Sequence, residues 1–259
     1  MARIDINFDM FSDTPKGEDP DLLSKTLNSY HQMLWSKKLP NGKMMLLEKG
    51  RDGDRLIVKA KEISKQFPEI NPKHFIFSSD ALGLTFKNWR KKIDEIDQVF
   101  QNLEAGEHEK NFKKCCTIGA YTIFPGKRIG GITINPARGG FGTNFQICDR
   151  IDLTLECIRL FYLNKPSLSK KNCPLLNTLT RHKPFFDLFG TFKGYVEFFL
   201  FQDLVTDDFS EVRFLHPFQG FKDQEYPKNI NEYRLYMNKM LEFIDLRNKR
   251  IDKWAKENL

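Results

Sequence analysis

Residues 115–163 read CCTIGAYTIFPGKRIGGITINPARGGFGTNFQICDRIDLTLECIRLFYL, and in this stretch the chain changes from strands to helices. Residues 115–124 are rich in Thr, Ile, Tyr and Phe and alternate weakly, which predicts a β-strand. Residues 149–163 are apolar over most of a helical circumference, which predicts a largely buried helix. A glycine-rich loop, residues 125–143, connects the two, and Ile132–Ile134 within it is expected to form a short paired strand.

Strand signals lie mainly before this stretch and helix signals mainly after it. Ser79 or Asp80 is expected to cap a helix that runs to about Leu103. Short strands are predicted at residues 44–47, 56–60, 74–77 and 212–215. The other predicted helices are residues 21–35, 174–180, 184–188, 195–205 and a long terminal helix capped by Asn231. Residues 1–259 are therefore predicted to form a single α+β domain, with short strands in the first half and a mostly helical second half.

The composition excludes several classes of protein. The chain has 259 residues, of which 40% are hydrophobic and 24 are Phe, so it predicts an ordered core packed with aromatic rings. Its five cysteines form no C-x-x-C pair, which excludes a recognisable zinc motif and a disulfide framework and indicates reduced thiols. Residues 1–10 do not resemble a signal peptide, and no apolar run approaches the roughly 18 residues of a membrane span. These features predict a cytoplasmic protein without membrane association.

Positive charge is concentrated in one segment. The formal net charge is +7, and residues 110–150 hold seven cations and one acid, a local net charge of 7 − 1 = +6. The first 34 residues hold six acids and three cations, a net charge of 3 − 6 = −3. The basic segment predicts an anionic partner, such as a nucleotide or a nucleic acid. The alternative is a basic surface that only keeps the protein soluble.

The loop 125–143 contains six of the chain's 16 glycines and three cationic side chains. Glycine allows backbone amides to approach a ligand closely, and arginine suits phosphate and carboxylate. Arg128, Arg138, Gly139 and Gly140 are therefore predicted to bind an anionic ligand. Neither G-x-G-x-x-G nor G-x-x-x-x-G-K-[ST] is present, which disfavours a Rossmann site or a P-loop. The alternative is a wide hairpin whose glycines serve turns and bulges.

Two further features suggest the rest of a site. Asp152, Glu156 and Arg159 form one polar line on the otherwise apolar helix 149–163, and the two carboxylates are candidates to hold a metal or to act as acid and base. The alternative is a solvated edge with a Glu156–Arg159 pair. Arg247 interrupts an apolar stripe of the terminal helix, so it needs a partner. That partner is expected to be a carboxylate, such as Asp152 or Glu156, or a ligand.

His31 is the third candidate catalytic residue, because it lies at an aromatic-rich helix end that precedes a turn. The alternative is a structural histidine held by hydrogen bonds. No paired histidines occur at metal-ligand spacing, so no metal-binding residues are predicted and no cofactor is identified. A divalent ion and the oligomeric state are left open.

These features predict a pocket between the loop 125–143, the helix 149–163 and the terminal helix that binds a phosphate-bearing ligand. If the protein is an enzyme, Asp152 or Glu156 would serve a phosphoryl-transfer or nuclease-type reaction. The alternative is a non-catalytic module that binds a protein or a nucleic acid.

Several segments resemble a widespread family of uncharacterised bacterial proteins. They are YHQMLWSKKLPNG at residues 30–42, DLTLECIR at residues 152–159 and GYVEFFLFQDLV at residues 194–205. The resemblance spans most of the chain and implies a bacterial cytoplasmic protein. It implies no activity, and no catalytic residue is carried over from it.

Overall fold

The structure is a computed structural model that describes residues 3–140, 142–222 and 225–259. Phe141, in the predicted glycine-rich loop, lies outside the described residues. The strands lie in the first half and most helices in the second, which confirms the predicted α+β class. The extent of the domain, residues 1–259, remains a prediction.

The strands form two small antiparallel sheets. Strands β1 (Lys37–Lys38) and β2 (Met44–Met45) pair as a short ribbon. The larger sheet has the order β3-β4-β5-β6. Its strands are β3 (Leu47–Asp52), β4 (Arg55–Ala60), β5 (Ile76–Ala81) and β6 (Tyr121–Pro125). All residues of β6 are buried, so this strand carries the sheet into the core.

Most of the helical residues lie in the second half of the chain. They are α1 (Pro20–Leu23), α2 (Lys25–Trp35), α3 (Lys61–Gln66), α4 (Asp94–Gln101), α5 (Glu107–Lys114), α6 (Ile134–Arg138), α7 (Ile151–Leu163), α8 (Leu176–Arg181), α9 (Lys183–Asp187), α10 (Phe192–Phe199) and α11 (Ile230–Asn258). Residues 151–158 of α7 are all buried, as its apolar circumference predicts. Within the described ranges, no helix combines the length and apolarity that crossing a bilayer requires.

Aromatic rings fill the core between α9 and α10, as the phenylalanine content predicts. Phe189 contacts Phe185, Tyr195 and Phe199 at ring-centroid distances of 5.2, 5.3 and 5.2 Å. All five cysteines are free and buried. Burial raises the pKa of Cys115, Cys116 and Cys148 to about 12, so these thiols are protonated and inert at neutral pH.

The predicted helix that begins at Ser79 or Asp80 is wrong. Both residues lie in β5, where they pair with Ile123 and Thr122 of β6. Phe86 adopts a left-handed conformation (φ 60°), which ends any helical continuation, and α4 begins only at Asp94. The apolar residues that suggested one long helix therefore come from a strand end, a 3₁₀ turn and a short helix.

The predicted strand at Ile132–Ile134 is also wrong. Ile129 and Ile132 form a single bridge that closes a turn through Gly130 and Gly131. Both glycines have positive φ values, 58° and 81°, as a tight hairpin turn requires. Ile134 already begins α6. In the same way, residues 212–215 contribute only a bridge between Val205 and Val212.

Candidate functional site

A cavity of about 380 Å³ opens beside the edge of the larger sheet. Three segments that are distant in sequence line it: residues 17–21 around the start of α1, Ala81 at the end of β5 with residues 83–89 after it, and Gly139, Gly142 and Asp149 before α7. Phe112, Cys115, Cys116 and Tyr121 complete its wall. Its volume falls in the range of small-molecule sites.

Asp21 reaches this pocket from α1. Asp19 caps the helix by accepting a hydrogen bond from the amide of Asp21. The Asp21 carboxylate accepts hydrogen bonds from Ser79 Oγ (2.8 Å) and from the amide of Ala81 (3.0 Å), so β5 holds it in place. Burial, helped by the charges of Asp19 and Asp80, raises the pKa of Asp21, although the two hydrogen bonds lower it.

His31 is linked to Asp21 by hydrogen bonds through Ser79. Trp35 Nε1, which can only donate, bonds to His31 Nδ1 at 3.1 Å, so the proton of the neutral ring is on Nε2. His31 Nε2 then donates to Ser79 Oγ at 2.9 Å, and Ser79 donates to Asp21. Burial lowers the pKa of His31 to about 3, which keeps the ring neutral. His31 therefore orients the pocket carboxylate through Ser79.

Asp149 reaches the pocket from a strained loop. Cys148 and Asp149 are consecutive non-glycine residues with φ values of 51° and 59°. Such strain tends to cluster at functional sites. The side chain of Asp149 is 22% exposed, and its Oδ1 lies 3.5 Å from Nη2 of Arg138. Oδ1 accepts no hydrogen bond within the described ranges. Burial raises the pKa of Asp149 to about 7, against the lowering effect of Arg138.

Arg138 is fully buried behind the pocket. It forms an ion pair with Asp80, donates to Thr154 Oγ1 at 2.9 Å and donates to the Asp149 carbonyl at 3.2 Å. Asn135 also donates to Asp80, at 3.0 Å. Arg138 is therefore bound by protein groups, and Asp80 and Asp149 share its charge.

Gly139 and Gly140 serve close packing in this loop. A Cβ on Gly139 would lie 2.7 Å from the amide nitrogen of Asp149, and one on Gly140 would lie 1.8 Å from Asn135 Oδ1. Their amides donate to the carbonyls of Pro136 and Asn135. Gly139 lines the pocket, but neither amide is left over for an anion.

The balance of charge at this pocket is negative, and we call it the acidic pocket. Asp21 and Asp149 line the pocket together with the exposed Glu18 and Asp19, and Lys87 is the only cationic residue that lines it in the described ranges. The buried Arg138 pairs with Asp80 and Asp149. Tyr121 is 3% exposed and lines the same pocket. In the described part of the chain its hydroxyl has no hydrogen-bond partner. Burial and the nearby charge of Asp21 raise the pKa of Tyr121, so its hydroxyl stays protonated and can serve a ligand.

Asp152 and Glu156 lie apart from this pocket, and both are buried. Arg150 binds both oxygens of Asp152, and the amide of Leu215 donates to the same carboxylate at 2.8 Å. Arg159 binds both oxygens of Glu156 at 2.7 Å. The Glu156–Arg159 pair exists as the structural alternative expected, but its carboxylate is buried.

Arg247 is buried in α11 as its place in an apolar stripe predicts, but its partners are backbone carbonyls. It donates to Gly119 and Tyr121 at 2.8 Å each and to Phe199 at 3.0 Å. Its guanidinium also stacks on Phe201 at 4.6 Å. The expected pairing with Asp152 or Glu156 is wrong, and Arg247 does not line the acidic pocket. Burial lowers the pKa of Arg247 to about 9.

Arg128 is exposed beside the Gly130–Gly131 turn. Its side chain takes no ion pair or hydrogen bond within residues 3–140, 142–222 and 225–259. In those same ranges, no group of three or more His, Cys, Asp or Glu side chains is placed to hold a metal ion.

Sequence reasoning missed Asp21, Asp80 and Asp149. From the sequence alone, Asp21 is explained by a helix start and Asp80 by a helix cap. Asp149 is explained by its place at a helix N-terminus. The acidic excess of the first 34 residues was the available signal. It did not indicate that α1 would meet β5 and the loop before α7.

Replacing Asp149 by asparagine is expected to stabilise the protein at alkaline pH. The wild-type carboxyl has a folded-state pKa of about 7 against an ordinary value of 3.8. Its ionisation is therefore less favourable in the folded than in the unfolded protein, and it lowers the free energy of unfolding as the pH rises above 3.8. Asparagine tolerates positive φ and carries no charge. We expect Asp149→Asn to raise the free energy of unfolding by about 1–3 kcal/mol near pH 8 and by much less near pH 4. Urea unfolding at both pH values measures this, and an equal effect at both would contradict it.

A family model described as a family of unknown function, DUF6994, matches residues 4–251. No curated protein and no solved structure matches the chain. Because the match covers nearly the whole chain, the protein belongs to the DUF6994 family of unknown function.

Proposed function

We propose that the protein binds a small molecule carrying an ammonium or guanidinium group in the acidic pocket. The observation that carries this proposal is geometric: Asp21 and Asp149 line one cavity, and Oδ1 of Asp149 accepts no hydrogen bond in the described part of the chain. Burial raises the pKa of both carboxyls, in keeping with a site that lacks positive charge. Arg138, which lies 3.5 Å from Asp149, is shared with Asp80. A cation in the pocket would supply the charge that these carboxylates lack.

The aromatic wall fits the same ligand. Phe11 and Phe112 line the pocket with ring centroids 5.3 Å apart, whereas the rings of Phe86 and Trp89 are buried in its wall. Phe11 and Phe112 are 37% and 38% exposed, so their rings are accessible. Aromatic faces attract ammonium and guanidinium groups, and the Tyr121 hydroxyl adds a hydrogen-bond acceptor beside Asp21.

Binding is expected to release a proton at neutral pH. The cation favours the ionised form of Asp149, whose pKa without a ligand is about 7. Affinity should therefore fall as pH drops below 7, because a growing fraction of the carboxyl must first lose its proton.

Calorimetric titration with a panel of cations tests the proposal. The probes are phenethylamine, agmatine, putrescine and choline, at low ionic strength and about pH 8. We expect at least one to bind, and Asp149→Asn to weaken that probe by about 10-fold or more, the worth of a charged hydrogen bond. Asp187→Asn, which removes an exposed carboxylate paired with Lys183, is the control and should bind normally. Failure of all four probes, or equal binding by Asp149→Asn, contradicts the proposal.

The phosphate-bearing ligand, whether nucleotide or nucleic acid, remains a prediction from sequence. The sequence predicts that three arginines bind this ligand. Arg138 and Arg247 are bonded to protein groups, and of the three only Arg128 is exposed. Nucleotides and oligonucleotides, with and without Mg²⁺, are the matching probes. Binding that depends on Arg128 and not on Asp149 would favour the anionic ligand, and turnover of any of them would favour an enzyme over a binding module.

A further inference from the structure

Carboxylates line the acidic pocket at two depths. Asp21 and Asp149 are half-buried, whereas Glu18 and Asp19 are exposed. Neither Glu18 nor Asp19 takes an ion pair within the described ranges. Lys87, the cationic residue that lines the pocket there, is also exposed and can offset only one of these charges. The negative charge therefore continues from the half-buried to the exposed side of the pocket.

The start of α1 sets the distance between the two depths. Asp19 caps this helix by accepting a hydrogen bond from the amide of Asp21 at 3.0 Å, and the buried Pro20 lies between them in the chain. Because they are two residues apart, the Cα atoms of Asp19 and Asp21 are separated by at most about 7 Å. A chain of a few methylene groups covers this distance, so one short molecule can reach both carboxylates.

A buried hydroxyl without a partner lies beside these carboxylates. Tyr121 is 3% exposed and lines the pocket, and its hydroxyl has no hydrogen-bond partner in the part of the chain that the structure describes. The ionisable neighbours that act on it, Asp19, Asp21, Cys115 and Cys116, all line the same pocket. A buried polar group ordinarily has a partner, and an ammonium group of a ligand can donate the missing hydrogen bond.

Apolar side chains share the pocket with these charges. The rings of Phe11 and Phe112 are accessible where they line it, and Cys115 and Cys116, which follow Phe112 in the chain, line it as well. Methylene groups of a ligand would be removed from water on this surface. The cavity of about 380 Å³ is also larger than a single ammonium group needs. These features fit a molecule with an aliphatic middle and a positive charge at each end.

On the basis of the proposed function, we propose that the ligand is an aliphatic dication, a diamine or a guanidino amine. One cationic group lies at Asp21 and Asp149, and the other lies at Glu18 and Asp19. A monocation would leave one of these pairs without a counter-charge. A second cationic group on the same molecule supplies that charge without the entropic cost of binding another partner.

Matched pairs of ligands test this inference by calorimetric titration of the protein at low ionic strength and about pH 8. Butylamine is compared with putrescine, and butylguanidine with agmatine. The second member of each pair adds an ammonium group to the same aliphatic chain. A symmetric diamine gains about two-fold by statistics alone. We therefore expect the dication of at least one pair to bind about 10-fold more tightly than its monocation.

The double variant Glu18→Gln/Asp19→Asn should reduce this gain to about two-fold and leave the affinity for butylamine and butylguanidine nearly unchanged. Asparagine is also a good helix cap, so the start of α1 is kept. The control Asp54→Asn/Glu69→Gln removes two exposed carboxylates that do not line the pocket, and it should keep the gain.

Two results would overturn the inference and leave the cation site standing. In the first, the dications bind no more than about two-fold more tightly than the monocations. In the second, the Glu18→Gln/Asp19→Asn variant keeps the full gain. If no member of either pair binds, both proposals are wrong.

Discussion

Replacing Arg247 by methionine is expected to lower the free energy of unfolding by about 3–5 kcal/mol, because it leaves buried carbonyl groups without a donor. The guanidinium satisfies the carbonyls of Gly119, Tyr121 and Phe199, and it is fully buried. Methionine keeps an unbranched chain but cannot donate. Three carbonyls that join α11 to α10 and to the start of β6 would then lose their donor.

Arg250→Met provides the matched control on the same helix. Arg250 is 37% exposed and pairs with Asp203, so we expect its loss to cost less than about 1 kcal/mol. Urea unfolding of both variants at neutral pH measures the difference. An Arg247→Met variant as stable as Arg250→Met would show that the buried guanidinium contributes no more than a surface one.

Replacing Asp152 by asparagine is expected to lower the free energy of unfolding by about 3–5 kcal/mol, because it removes the carboxylate that binds the buried Arg150. Both side chains of this pair are 0% exposed. Arg150 also donates to the carbonyls of Glu225 and His216, so the pair fixes the segment before α11. Asparagine is nearly isosteric and can still accept from the amide of Leu215, so the loss measures mainly the missing charge.

Glu156→Gln is the control for Asp152→Asn, one turn further along α7. Its partner Arg159 is 20% exposed and can reach water, so we expect a loss of about 1 kcal/mol. Thermal or urea unfolding of both variants separates the two pairs. A cost for Asp152→Asn no larger than that for Glu156→Gln would contradict the structural role given to Asp152.

The elements with strong local signals could be predicted from the sequence. The apolar circumference of 149–163 predicted α7, and the long periodic stripe predicted α11, with a cap two residues from the observed Asn229. The stripe also predicted that Arg247 is buried and needs a partner. Its partners could not be predicted, because they are carbonyls that tertiary packing brings from residues 119, 121 and 199.

The glycine-rich loop shows why the candidate site was harder to predict. Composition alone cannot distinguish glycines that expose amides from glycines that allow close packing, and Gly140 packs against Asn135. Nor can it show which arginines remain exposed, since Arg138 is buried on Asp80 and Arg128 is not. The acidic pocket combines three distant segments, so no local pattern contained it.

Titration of the Asp149 carboxyl by ¹³C NMR is the most direct test of the claim that the acidic pocket binds a cationic group. The resonance is assigned by its absence in Asp149→Asn. Without ligand, we expect a midpoint at about 7, and saturation with a bound cation from the panel should move it toward more acidic pH. A ligand-free midpoint near the ordinary value of 3.8 would mean that the pocket already balances its charge, and it would contradict the account.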